Sequence, residues 1–186
     1  MTTTLVILGL IGGLAVYVIG VYNALVKARQ MVKEAWSGID VQLKRRADLI
    51  PNIVEAIKGY VGHEKDTLRE VTEMRTRVQA VPEGDVAGRA AAEGLLSQAL
   101  GKLMAVAEAY PDLKANQNFL QLQDTLDKIE GEVQMSRRYY NGAARDLNVK
   151  VESFPSNFVA NYFKFSPAEY FEIETASDRE VPQVKF

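Results

Sequence analysis

The sequence predicts an all-α protein: an N-terminal transmembrane helix continues into an antiparallel up-and-down bundle of long helices, and a short aromatic-rich C-terminal tail follows. Three observations carry this prediction. The N-terminus is an uncharged apolar run, apolar residues recur at helical spacing through the middle of the chain, and proline and aromatic residues accumulate near its end. The predicted boundaries are an anchor at 1–26, a cytoplasmic helical bundle at 27–153 and a C-terminal segment at 154–186 that packs on the bundle or on a partner.

The apolar run Leu5–Leu25 consists mostly of Leu, Ile, Val, Gly and Ala. About 20 such residues, at ~1.5 Å each, cross the ~30 Å hydrocarbon core of a bilayer. Two other interpretations are a buried helix of a soluble protein and a cleaved signal peptide. A signal peptide should begin with basic residues, where this chain has Thr2–Thr4, and no small-residue cleavage site follows the run. A permanent single-pass anchor is therefore the favoured interpretation.

Positive residues flank the run on one side only. Lys27, Arg29 and Lys33 follow it, and no Lys or Arg precedes it. Because positive flanks stay cytoplasmic, we expect the N-terminus outside and the C-terminal domain in the cytoplasm.

The apolar spacing predicts four long helices. The first continues out of the anchor in a coiled-coil-like pattern until Pro51, which either begins a second helix capped by Asp48 or kinks the first. The second helix ends near the loop at Pro82, and the Ala-rich third helix ends or breaks at Pro111. The fourth runs from about 113 to 151. Short loops between long amphipathic helices are typical of an up-and-down bundle.

The segment 154–171 holds seven of the fifteen Phe and Tyr residues of the chain. Pro155 and Pro167 exclude a continuous helix, so we expect a short helix around Ser156–Tyr162 and an extended tail. The tail either packs over the open end of the bundle or forms a docking surface for a partner or for the lipid headgroup layer. The candidate docking residues are its aromatic side chains: Phe154, Phe158, Tyr162, Phe163, Phe165, Tyr170 and Phe171.

Charged residues interrupt the apolar seams. Arg29 lies on the seam of the first helix, and Glu130 and Arg137 lie on that of the last. Since buried charges must be paired, we expect Arg29 or Arg137 to meet Glu130 and fix the helix register; otherwise these side chains reach the bundle edge.

The densest positive cluster is Lys44, Arg45 and Arg46. It is a candidate contact for anionic lipid if the chain folds back towards the bilayer there, and a solvated helix surface otherwise.

Composition and motifs argue against most enzyme classes. The chain has no cysteine, and its net charge of -2 argues against a nucleic-acid partner. The single histidine, His63, precedes Glu64, but Thr67 occupies the position where a zinc protease helix needs its second histidine. With no phosphate loop and no Gly-x-Ser-x-Gly elbow, we predict no catalytic residue, no cofactor and no metal site.

Motifs along almost the whole chain resemble the LemA family. They include Tyr22-Asn23, Ala35-Trp36, the run from Asp40 to Arg46, Asp48 to Asn52, Glu108 to Pro111, Tyr140-Asn141, Phe154-Pro155 and Tyr170 to Glu172. One departure is Leu147-Asn148, where the family often repeats its Tyr-Asn pair, so any role of that second tyrosine hydroxyl is in doubt here.

The resemblance implies a membrane-anchored antiparallel helical bundle of the bacterial cytoplasmic membrane, and it implies no activity. Some relatives are linked to magnetosome formation, which points to membrane organisation. We therefore expect a non-catalytic scaffold or membrane-organising platform that forms a homo-oligomer. The alternative is an adaptor or regulator that binds a membrane enzyme such as a protease or transporter.

Overall fold

A computed structural model describes residues 1–62 and 64–172 of the protein. Every regular element in these ranges is helical, which confirms the all-α prediction. The helices are α1 Thr2–Lys58, α2 Lys65–Gln79, α3 Val86–Glu108, α4 Pro111–Lys114, α5 Gln117–Glu152 and α6 Ser156–Tyr162. His63 and residues 173–186, the end of the predicted C-terminal segment, lie outside the described residues.

Of the two alternatives at Pro51, the start of a new helix is wrong, because α1 continues through Pro51 to Lys58. Proline has no backbone N–H, so the carbonyl of Ala47, four residues earlier, lacks its helical donor. The side chain of Arg75 in α2 supplies one, since its Nε donates to the Ala47 carbonyl oxygen at 2.8 Å. The chain therefore turns after Lys58, and Asp48 lies inside α1 rather than at a cap.

Side-chain caps explain where two of the later helices begin. Asp85 precedes α3, and its carboxylate accepts a hydrogen bond from the backbone N–H of Gly88 at 2.8 Å. Asn116 precedes α5, and its Oδ1 accepts from the backbone N–H groups of Asn118 and Phe119 at 2.9 and 3.2 Å. These bonds satisfy N–H groups that have no partner within their own helix.

The chain divides into two compact units, the first of which contains residues 1–39 and 138–170. In this unit α1 and α5 are antiparallel: the ring centroid of Trp36 lies 5.5 Å from that of Tyr140, whereas Leu25 packs in one buried cluster with Leu147 and Val151. The helix α6 packs against the same cluster.

The second unit contains residues 40–137 and, among the described residues, 171 and 172. Short turns connect α1 to α2 and α2 to α3, so successive helices are antiparallel neighbours. Their apolar faces form one core, whose fully buried members include Ile50, Ile53, Ile57, Val71, Leu96, Leu103 and Leu113. Each such side chain contributes about 1.5–3 kcal/mol through burial.

The hydrogen bond from Arg75 can be tested through its dependence on Pro51. Arg75→Ala should lower the free energy of unfolding by ~1–2 kcal/mol, because it leaves the Ala47 carbonyl without a donor. In a Pro51→Ala background the helix regains its own donor, so the same change should cost much less. Urea titrations of the full chain, followed by far-UV circular dichroism, measure both losses.

The exposed Arg77, two residues further along α2, is the matched control for this experiment. Arg77→Ala should change stability by less than ~0.5 kcal/mol in either background. Equal losses for Arg75→Ala with and without Pro51 would show that the Ala47 carbonyl is not what Arg75 stabilises.

Candidate functional site

The N-terminal part of α1 presents a continuous apolar surface. Its large aliphatic side chains are more than half exposed: Leu5, Val6, Ile7, Leu8, Leu10, Ile11, Leu14, Val16 and Ile19. Among the described residues, α1 is the one helix that is long and apolar enough to cross a membrane, judged by length and composition. The predicted N-terminal candidate for a membrane-spanning helix is therefore present.

A buried ion network lies in the second unit, around Arg46 of α1. This residue follows Leu43 by one helical turn and therefore lies on the same inward face, with 1% of its surface exposed. Its Nη1 donates to Glu130 Oε1 of α5 at 2.7 Å and to Ser97 Oγ of α3 at 2.9 Å. Its Nη2 donates to the carboxylate of Glu93, which is completely buried. One arginine thus connects three helices.

A second arginine extends this network towards the surface. Arg89 Nε donates to Glu93 Oε1 at 3.0 Å, and its Nη2 lies 3.3 Å from Asp40 Oδ1 of α1. Two cations therefore face the carboxylates of Glu93, Asp40 and Glu130.

The charge of Arg46 is held by its partners. Burial acts to lower the pKa of Arg46, but the negative charges of Glu130 and Glu93 and their hydrogen bonds outweigh it, so the pKa is raised. The guanidinium therefore stays protonated inside the protein. We expect a paired and hydrogen-bonded buried ion of this kind to favour one alignment of its helices.

The structure gives Glu130 a different cation from the two that the sequence suggested. Glu130 pairs with Arg46, whereas Arg29 is exposed with its guanidinium carbon 4.9 Å from the ring centroid of Phe165. Arg137 is half-buried in α5. The expectation that a charged seam fixes helix register stays a prediction, now with Arg46 as the cation.

The basic cluster separates into residues with different surroundings. Arg46 is buried and does not reach a lipid headgroup, so the prediction that it contacts lipid is wrong. The physical reason is that residues 43, 46 and 50 share one helix face, which the core covers. Arg45 is exposed and lies 2.9 Å from Glu132, and Lys44 is exposed. Lipid contact by these two residues stays a prediction.

The candidate docking residues of the tail fall into two groups. Phe165 and Phe171 are buried, with 7% and 0% of their surface exposed, and they serve packing. The other five are at least 40% exposed: Phe154, Phe158, Tyr162, Phe163 and Tyr170. The predicted short helix at Ser156–Tyr162 is confirmed as α6.

Two polar side chains of α5 hold the extended tail, and sequence reasoning missed both. The hydroxyl of Tyr140 donates to the Glu169 carbonyl oxygen at 2.9 Å. The amide of Asn148 donates to the Ala168 carbonyl at 2.9 Å and accepts from its N–H at 2.7 Å. Burial, and then the charge of Glu169, raises the pKa of Tyr140, so its hydroxyl remains a donor at neutral pH.

This architecture defines the class: an all-α helical-bundle protein with an N-terminal helix suited to a membrane. The sequence profile of the LemA family matches residues 35–186, and the chain belongs to the LemA family. This confirms the resemblance stated from its motifs.

Individual relatives are identical to this chain at about a quarter of the aligned positions. The chain is 26% identical over 181 residues to the magnetosome protein MamQ 2 of Paramagnetospirillum magneticum, covering 84% of this chain and 66% of that protein. It is 27% identical over 169 residues to Protein LemA of Metamycoplasma hominis, covering 87% and 77%. The chain therefore spans just under two thirds of the length of MamQ 2. None of these names is that of an enzyme, and with the apolar helix they indicate a membrane-associated protein.

The ion network gives a stability prediction. Arg46→Met should lower the free energy of unfolding by up to ~3–5 kcal/mol, because the completely buried Glu93 would lose one of its two cations and keep only Arg89. The double variant with Glu93→Met should recover much of this loss, since an apolar pair of similar size needs no counter-charge. Urea titration of the three proteins measures the coupling.

The neighbouring Arg45 is the control for this prediction, because its ion pair with Glu132 is exposed. Arg45→Met should cost less than ~1 kcal/mol. A similar cost for Arg45→Met and Arg46→Met, or no recovery in the double variant, would contradict the role given to the buried pair.

The raised pKa of Tyr140 predicts an alkaline effect. Below the ordinary tyrosine pKa of ~10 the Tyr140 hydroxyl is neutral in both the folded and the unfolded chain, and its contribution to the stability of the fold is fully present. As the pH rises above ~10, Tyr140 ionises first in the unfolded chain. The free energy of unfolding therefore falls until the pH has passed the raised pKa of Tyr140 in the folded chain. Tyr140→Phe should cost ~1 kcal/mol at pH 8 and reduce this fall.

Unfolding titrations between pH 8 and pH 11 test the alkaline effect, with the exposed Tyr139→Phe as control. If Tyr139→Phe flattens the pH dependence as much as Tyr140→Phe does, the effect does not come from the buried hydroxyl.

Proposed function

We propose that this protein is a non-catalytic, single-pass membrane protein whose helical bundle acts as a self-assembling scaffold or membrane-organising platform. The observation that carries the proposal is the continuity of α1. One unbroken helix supplies both the exposed apolar surface and Arg46 with its network, and no linker separates them.

The positive flank supports an orientation in the bacterial cytoplasmic membrane. Lys27 and Lys33 are exposed on α1, directly after the apolar run. By the positive-inside rule the bundle lies in the cytoplasm and the N-terminus outside. The names of the MamQ relatives, which are magnetosome proteins, support a role in organising membranes rather than in chemistry.

Self-assembly is supported by the small residues of the apolar run. Gly9, Gly12, Gly13 and Gly20 recur on one side of α1, and a Cβ atom added at any of them would meet no atom within 4 Å. The described chain thus leaves these positions open to a neighbouring helix, and Gly9 and Gly13 have the spacing that allows two spans to approach closely.

The native particle provides the test. Chain expressed at its natural level is extracted in a mild detergent, and mass photometry with quantitative mass spectrometry gives its mass and composition. A particle containing several copies of this chain alone is expected. A particle with one copy and a second protein at fixed ratio would instead establish the alternative, an adaptor or regulator of a membrane enzyme.

Substitutions in the span sharpen this experiment. Gly9→Leu combined with Gly13→Leu should shift the particle towards lower mass, because the added side chains separate the spans. Ala15→Leu is the matched control: at ~100° per residue it adds bulk about 120° around the helix from Gly9 and about 160° from Gly13, and it should leave the mass unchanged. Equal effects of both changes would argue against a contact through the glycines.

A further inference from the structure

Within the first unit, the helix α6 lies beside the C-terminal end of the apolar run. Helix α5 runs antiparallel to α1, and its last turns pack Leu147 and Val151 against Leu25 and Ala28. The chain then turns into α6, whose Val159 joins the same buried cluster.

After α6 the chain runs back along α5. The backbone of Ala168 bonds to Asn148, and Glu169 is reached by the hydroxyl of Tyr140, which lies two helical turns earlier in α5. The tail therefore moves away from the apolar run as it proceeds. The chain runs along α5 towards the apolar run, reverses at α6 and runs back along α5 as the tail. The helix α6 is therefore the part of this C-terminal segment that lies nearest to the apolar run.

The level of α6 relative to the apolar run follows from its ring contacts. Tyr22 lies in the last turn of Leu5–Leu25, which at ~1.5 Å per residue is ~30 Å long and matches a bilayer core. The ring centroid of Phe163 lies 4.8 Å from that of Tyr22. With Leu5–Leu25 across a bilayer, Phe163, which directly follows α6, lies at the level where the hydrocarbon core meets the headgroups.

Four aromatic side chains at α6 remain uncovered in spite of their size. Phe154, Phe158, Tyr162 and Phe163, here called the α6 aromatic edge, are 79%, 66%, 80% and 43% exposed. They form two edge-on pairs, with centroids 5.9 Å apart for Phe154 and Phe158 and 5.0 Å apart for Tyr162 and Phe163. Exposed apolar surface of this extent marks an interaction site.

We propose that the α6 aromatic edge inserts into the interfacial layer of the bilayer that α1 spans, as a second membrane contact made by the C-terminal part of the chain. This rests on the proposed anchoring by α1. The bilayer is the occupant because the edge is continuous with the apolar run through Tyr22, and because aromatic rings favour the headgroup boundary. The exposed Lys164, directly after Phe163, adds positive charge beside the layer.

Depth-dependent fluorescence quenching tests this proposal. The chain contains one tryptophan, Trp36, so a Trp36→Phe background permits single reporters in the full-length protein. Phe158→Trp and Tyr162→Trp report on the edge, and Tyr17→Trp reports on the apolar run. Tyr139→Trp is the matched control, because Tyr139 is 54% exposed in the same unit beside Tyr140, which contacts position 36. Position 36 is 14 residues from Tyr22, ~21 Å along α1.

Each reporter is reconstituted into phosphatidylcholine–phosphatidylglycerol vesicles carrying bromine either high or deep on the acyl chains. The edge reporters should lose at least about a third of their emission with shallow bromine and much less with deep bromine. The Tyr17→Trp reporter should respond to acyl-chain bromine, whereas Tyr139→Trp should be quenched only by aqueous acrylamide. Two edge positions are used so that a local perturbation at one does not decide the result.

The outcomes separate this proposal from the anchoring on which it rests. If Tyr17→Trp is quenched by bromine and the edge reporters respond only to acrylamide, the edge lies in water and the second contact is excluded. If the edge reporters are shielded from both quenchers, protein covers them, and the contact is again excluded. If Tyr17→Trp is not quenched by bromine, the anchoring itself fails.

Discussion

The pairing of Arg46 with Glu93 and Glu130 is the interaction on which the second unit depends. Removing an ion from water costs several kcal/mol even after relaxation, so the buried guanidinium and the buried carboxylate must find each other for the core to close. The observed alignment of α1 against α3 and α5 brings these groups together. The apolar side chains around them could pack in several registers, because burial is not directional. We therefore expect the ion pair to favour the observed register.

The same requirement explains the continuity of α1. A proline inside a helix frees a carbonyl, and a freed carbonyl in a packed interior needs a donor. Arg75 supplies it to Ala47 from the next helix. Local sequence around Pro51 resembles a helix start, because Asp48 and Pro51 have the spacing of a cap and a first-turn proline. The donor that overrides this local signal lies 28 residues away from Ala47, where no local pattern indicates it.

Other parts of the fold and of the site could be predicted from the sequence. The loop at Pro82, the break at Pro111 and the short helix α6 follow from proline and glycine chemistry, which acts locally. The apolar run needs only composition and length. What sequence could not resolve is which member of a polar or aromatic cluster is covered: Arg46 differs from Arg45, and Phe165 from Phe163, only through the elements that pack on them.

Two neighbouring residues of α5 show how the tail keeps its position. Leu147 is 3% exposed in the apolar cluster, so its side chain serves packing. The amide of its neighbour Asn148 binds the tail backbone at Ala168. The hydroxyl of Tyr140, earlier in α5, donates to the backbone carbonyl of Glu169. These hydrogen bonds hold the tail that follows α6 against α5. The packing of Val159 in the apolar cluster and the hydrogen bonds from α5 to the tail therefore hold the chain on both sides of Phe163, and the exposed rings of the α6 aromatic edge are left available for a surface outside the chain.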